Sequence, residues 1–220
     1  MSRWRRLLLV RRLRAVARRD RRRLRELARL HPGLDVHPDA AAAFAVATFD
    51  LEPGAKVRIG PGVVTERRPD GVRISVRSGG ELDIGEGTWL RSDLGPVILS
   101  VFEGARIDIG RDSFLNGCHI SAKAGVTIGR EAWIGPGSRV WDADQHAIDF
   151  DTPERRQPVR IGHYVWIAAD VTVLRGVEIG DGSVVGTRTL VTQSLPAGSL
   201  AYGVPAVVRG RVGDRRGIPI

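Results

Sequence analysis

Residues 161–191 read IGHYVWIAADVTVLRGVEIGDGSVVGTRTLV, with an aliphatic residue at every sixth position: Ile161, Ile167, Val173, Ile179, Val185 and Val191. Four of the residues that follow them are small, Gly162, Ala168, Gly180 and Gly186. This period is neither the turn of a helix nor the alternation of a strand. A triangular coil satisfies it. Each hexad forms one flat side, points one aliphatic side chain inward and turns its corner on a small residue. Three sides make a turn of 18 residues, the distance from Ile161 to Ile179. Stacked turns then bury a continuous aliphatic column, as solenoids do.

The same beat runs upstream through Ile128, Ile134 and Val140, with Gly129 and Gly135 behind the first two. Ile-Gly pairs at 59, 84 and 109 are 25 apart, which predicts longer coils carrying insertions. Composition agrees with small, tightly turned units, since aromatics make up 5% of the chain and there are 27 glycines.

The net charge of +9 is not spread over the molecule. Residues 1–30 hold thirteen arginines against Asp20 and Glu26, a balance of +11, which leaves −2 on the remaining 190 residues. A nucleic-acid-binding body would carry its basic residues on a face, so none is expected here. One cysteine, Cys118, forbids an internal disulfide and fits a reducing compartment. No apolar run reaches the roughly 20 residues of a membrane span. The run LLLV at 7–10 is too short for a signal-peptide core, so a cytoplasmic protein is expected.

Residues 3–30 lack Gly and Pro until HPG at 31–33, which predicts a helical arm over 1–31. Val10, Leu13, Ala17, Leu24 and Leu27 fall at heptad spacing, with Asp20 in the remaining seam position. Two readings stand. The seam packs on a neighbour or on the body, or the arm rests on the inner face of an anionic membrane with Trp4, Leu7 and Leu8 dipping in. A connecting or cap segment is expected over 32–54, coils over 55–208 with a loop at 142–160, and a tail over 209–220.

The Ile/Val-Gly-x4 hexads resemble the left-handed parallel β-helix of the hexapeptide-repeat acyltransferases, over roughly residues 55–208. The handedness comes from that resemblance. Within it, residues 159–208, VRIGHYVWIAADVTVLRGVEIGDGSVVGTRTLVTQSLPAGSLAYGVPAVV, are similar to the C-terminal signature of galactoside- and maltose-type O-acetyltransferases. The expected fold is therefore all-β, a left-handed parallel β-helix with an N-terminal helical arm. The resemblance implies acetyl-coenzyme A as co-substrate and a homotrimer with clefts between neighbouring helices.

Counting by six from Ile128 passes Ile134 and Val140 and lands on His146, in VWDADQHAID, where the next inward aliphatic was due. The resemblance places a catalytic histidine here, with an acceptor-binding asparagine thirty residues earlier, at Asn116. A sugar hydroxyl is a weak nucleophile at neutral pH, and an imidazole accepts its proton without being mostly charged beforehand. Asp142 and Asp144 are expected to contact substrate, and these two with nearby Asp149 to orient the ring or stabilise its protonated form. His119 is a further candidate for the cleft, and His163 is expected at a surface corner.

By the same resemblance Trp166 borders the pantetheine arm, Ala169 and Thr187 line it, and Thr192 lies near the nucleotide. The family's basic residue after that threonine is Gln193 here, and its later cationic positions are Val207 and Gly210. Arg209 and Arg211 flank both and are expected on the phosphates, with Arg188 a further candidate. The acidic sugar-binding position is Ala124, beside Lys123, and HPDAAAAFAVATFD at 37–50 does not match the family's capping domain. The expected activity is O-acetylation of a glycan or small-molecule sugar acceptor in cell-envelope or polysaccharide synthesis. Amino-sugar N-acylation, or a scaffold docking partners through the basic arm, are the alternatives. A zinc site is not expected, because the histidines lack close paired spacing.

Overall fold

The computed structural model describes residues 3–218. The side chains of residue 3 and residues 5–9, Leu7 and Leu8 among them, lie outside the described set. One helix, Arg3–Leu30, precedes a parallel β-helix of seven coils with three flat faces. In each coil the chain runs along a first face, then a second, then a third. The fifth coil is representative, with strands Val126–Ile128, Trp133–Ile134 and Arg139–Trp141.

The hexad residues stack in register. On the first face Val36, Ile59, Ile84, Ile109, Ile128, Ile161 and Ile179 form one inward column. Ile134, Ile167 and Val185 do the same on the second face, and Val140, Val173 and Val191 on the third. All are at most 3% exposed apart from Val36, which is partly buried at the end of its column. Each such side chain contributes about 1.5–3 kcal/mol of burial. Small corner residues are a packing requirement. A Cβ on Gly110 would stand 2.5 Å from the backbone nitrogen of Arg130 in the coil above.

The structure shifts the expected boundaries at both ends. Residues 32–54, expected to connect or cap, form the first coil: Leu34–Val36 and Thr48–Leu51 pair with the second coil, and a 3-10 helix, Ala42–Val46, replaces the second-face strand. Ala40, Phe44 and Ala45 fill its interior, so no Ile/Val beat marks it. The open end of this coil is covered by the arm, through buried Leu24 and partly buried Leu27. At the other end the expected 208/209 boundary falls inside a strand, Val207–Arg211, which pairs antiparallel with Ser199–Tyr202 and ends the stack.

Candidate active site

The break in the hexad beat lies at the edge between the third and first faces. Strand Arg139–Trp141 ends there, and the chain rejoins the coil at Val159–Ile161. Asp142 is fully buried, and its carboxylate accepts the N–H groups of Lys123 (2.7 Å), Ala124 (2.7 Å) and Gly125 (2.5 Å). These amides belong to the same corner one coil earlier. The expectation that Asp142 binds substrate is therefore corrected. Its oxygens are occupied inside the fold, where they staple the loop to the coil.

Beyond Asp142 the loop has a paired stem. Ala143 bridges Arg156 antiparallel, and the Gln157 N–H donates to the Asp142 carbonyl at 2.8 Å. Lys123 clamps both limbs, donating to the Gln145 carbonyl (2.9 Å) and to Glu154 (2.5 Å). That ion pair is nearly buried and holds the Glu154 carboxyl below the usual range. His146 is exposed near the tip, as are Ile148 and Phe150. Both of these large apolar side chains stand in solvent in the single chain.

Between the stem and the later coils lies a cleft of about 370 Å³, lined by Trp141, Ala143, Asp144, Gln145, Leu174, Arg175 and Thr192. Asp144 is hydrogen-bonded by the Arg175 guanidinium, which is the main reason its carboxyl lies below the usual value. Arg175 also donates to Gln157 at 2.7 Å. Thr192 is exposed on the cleft wall.

A second group of expected site residues occupies a different edge, between the second and third faces. Asn116 ends strand Phe114–Asn116 there. It is 6% exposed, and its Oδ1 has no hydrogen-bond partner among the described residues, an uncommon state for a buried amide. Ala169 and exposed Thr187 lie on the same edge two and three coils further on. Trp166 is 41% exposed on the adjoining second face. Its ring is partly covered by Arg215, whose Cζ stands 5.4 Å from it and 5.0 Å from the Trp133 ring. Arg209 and Arg211 are exposed on the last strand of that face, three strand spacings from Trp166, about 14 Å. Arg188 is exposed on the corner, 4.0 Å from Asp170.

His119 starts the third face beside this edge, edge-on to Trp141 with centroids 6.1 Å apart. Burial, with Arg139 secondary, holds its pKa below the ordinary histidine value. The Trp141 Nε1 is also buried, with no hydrogen-bond partner among the described residues. His163 lies at the first corner, where its Nδ1 accepts the Arg130 N–H at 3.1 Å. Burial raises the Cys118 thiol to about 12, which removes it as a nucleophile.

The expected residues thus divide between two edges of the third face. His146, Asp144 and Thr192 stand at one, and Asn116, Ala169 and Thr187 at the other. Strand Arg139–Trp141, about 10 Å long, lies between them. Sequence reading missed Arg175, Trp141 and the clamp role of Lys123. Arg175 was within reach, because it follows Gln157 by one 18-residue turn and so occupies the same corner.

Residues 158–193 match the family model described as bacterial transferase hexapeptide (six repeats). Nodulation protein L of Rhizobium meliloti (strain 1021) is 43% identical over 100 residues, 42% of this chain and 52% of that protein. Galactoside O-acetyltransferase of Lactococcus lactis subsp. lactis (strain IL1403) is 33% identical over 93 residues, 40% of this chain and 44% of that protein. The chain spans about half the length of the curated relatives it matches. Among solved structures, the polySia specific acetyltransferase NeuO superposes with a TM-score of 0.56 at 23% identity, over 78% of each chain. The fold is a left-handed parallel β-helix, residues 158–193 carry the hexapeptide repeats of bacterial transferases, and the matched coils are similar to those of galactoside O-acetyltransferases.

Proposed function

We propose that the chain is an acyltransferase that moves an acetyl group from acetyl-coenzyme A to a sugar hydroxyl, with His146 as general base. The observation that carries this reading is the division of the site residues between two edges. A base on one edge and an unsatisfied amide on the other cannot meet on one acceptor across the third face of a single chain. They meet when one chain's His146 edge lies against the Asn116 edge of the next, and a closed ring of three copies repeats that contact without leaving an open end. The exposed Ile148 and Phe150 supply apolar surface for the contact.

In such a cleft the His146 ring takes the proton as the hydroxyl oxygen bonds to the thioester carbonyl carbon. The carbon–sulfur bond breaks, and the proton passes to the departing thiolate. Asp144 and Arg175 neutralise each other at the cleft wall and fix the loop base under His146. On the other edge, Asn116 Oδ1 accepts a hydrogen bond from the acceptor. Trp166 offers an apolar plane to the pantetheine chain, and Arg209 and Arg211 offer guanidinium groups to phosphates. These residues fit the donor chemically: an exposed ring, then two exposed cations further along the same face.

The test is thiol release from acetyl-coenzyme A with a panel of glycosides, for the wild type and His146→Ala. Acceptor-dependent release that falls about 10²–10⁴-fold in the variant, with the fold intact, is expected of a lost general base. Equal turnover by both proteins would remove His146 from the chemistry. An absence of acceptor-dependent release in the wild type would remove the acetyl-transfer reading.

A further inference from the structure

The helix Arg3–Leu30 is two things joined at Asp20. From Asp20 onward it belongs to the body. Asp20 is 3% exposed and receives both arms of the Arg67 guanidinium fork at 2.7 and 3.1 Å, while Leu24 and Leu27 pack on the first coil. Before Asp20 every described side chain is exposed except that of Val16, which is half-buried. Val10 and Leu13 continue the stripe that carries Asp20, Leu24 and Leu27, and there they are 42% and 59% exposed; Trp4 is 78% exposed. The same 17 residues, 3–19, contain eight arginines and no carboxylate. The free segment is about 25 Å long at helical rise.

Three occupants compete for this surface. A second copy of the helix would cover the apolar stripe but bring eight more cations against eight, with no acidic residue in 3–19 to pair across the seam. Nucleic acid would neutralise the arginines and leave Trp4, Val10 and Leu13 in water. An anionic bilayer surface satisfies both halves at once, because apolar side chains enter the acyl boundary while guanidinium groups meet headgroup phosphates. Among the described residues no helix is long and apolar enough to cross a membrane, so the arm lies along the surface. We infer that residues 3–19 dock the protein onto bilayers rich in anionic phospholipid, independently of any catalysis in the coils.

The test is co-sedimentation of the full-length chain with vesicles of phosphatidylcholine alone, or with about one third phosphatidylglycerol. The inference predicts binding to the anionic vesicles only, weakened about fivefold for each of Arg11, Arg12 and Arg14 replaced by Gln, and lost progressively with salt. The paired variant Trp4→Ser/Leu13→Gln keeps every charge and leaves Asp20, Leu24 and Leu27 in place, and it must also lose binding by about tenfold or more. Unchanged vesicle binding by that variant overturns the inference, since attraction by charge alone would then suffice. Equal affinity for a duplex DNA of matched charge, insensitive to the same pair, overturns it in favour of nucleic acid. Association that proceeds through residues 3–19 without lipid overturns it in favour of self-association. None of these readouts depends on acetyl transfer, so failure here leaves the proposed activity standing, and the reverse.

Discussion

Asp142→Asn separates the two roles this residue can play. In the wild type one carboxylate oxygen takes the Lys123 N–H and the other takes those of Ala124 and Gly125, at a part-buried corner in which Asp142 itself is fully buried. Asparagine keeps one acceptor oxygen and turns an NH2 donor toward an N–H donor. The new NH2 and the N–H it faces then lack partners against the buried Asp142 site, at about 1–3 kcal/mol each, so a loss of up to about 4 kcal/mol is expected. In a domain of this size each kcal/mol lowers Tm by about 2–4 °C, which gives a shift of up to about 8–16 °C. Circular dichroism during heating reads that shift. Hydrogen exchange adds a local readout, because the amides of residues 123–125 should lose protection before the rest of the coil. An unmoved Tm and unchanged protection at 123–125, with the effect confined to the acceptor KM, would refute the staple and return Asp142 to the substrate.

Ile134→Ala empties a fully buried position on the coil axis and should cost about 2–5 kcal/mol in thermal or urea unfolding. The hydrogen bonds from Arg67 hold the Asp20 carboxyl below its ordinary 3.8. The stability of the arm's seat is therefore present above about pH 4 and is lost as pH falls from there through the folded value. Limited proteolysis near residue 20 should accelerate in that window, and Asp20→Asn should remove the dependence while leaving the seat weaker throughout. Cys118, with its thiol raised to about 12 by burial, should react with an aromatic disulfide reagent only as fast as the chain unfolds.

The central coils were legible because their physics is local and repeated. Ile161 to Ile179 counts one turn in sequence, and those two residues pair in the sheet. The spacing of 25 between Ile59, Ile84 and Ile109 also proved to be one turn, with third-face strands such as Val72–Val76 and Val97–Val101 lengthening the coil. The first coil escaped detection because Phe44 and alanines fill it through a 3-10 turn, which carries no hexad. Asp142 read as a ligand because it adjoins the break. The three amides that claim it come from residues 123–125, and counting along one strand does not show which N–H groups a corner leaves pointing at the coil above. The same limit hid the grip of Lys123 on the loop, whereas Arg175 could have been placed at its corner by counting one turn on from Gln157. Hexad position does place Asn116 and His146 on particular edges, but it takes the assembled coil to show that those edges differ.

That separation makes the shared site the most exposed claim in the account. Mixing refolded Asn116→Ala chains with His146→Ala chains in equal amounts, each inactive alone, measures it directly. If every site takes its asparagine edge from one copy and its histidine edge from the next, random assembly restores about one interface in four. Acetyl transfer should then return to about a quarter of the wild-type rate per chain. Mixed chains as inactive as either parent, in assemblies verified to have exchanged subunits, would place both residues in one chain's own site and contradict the account.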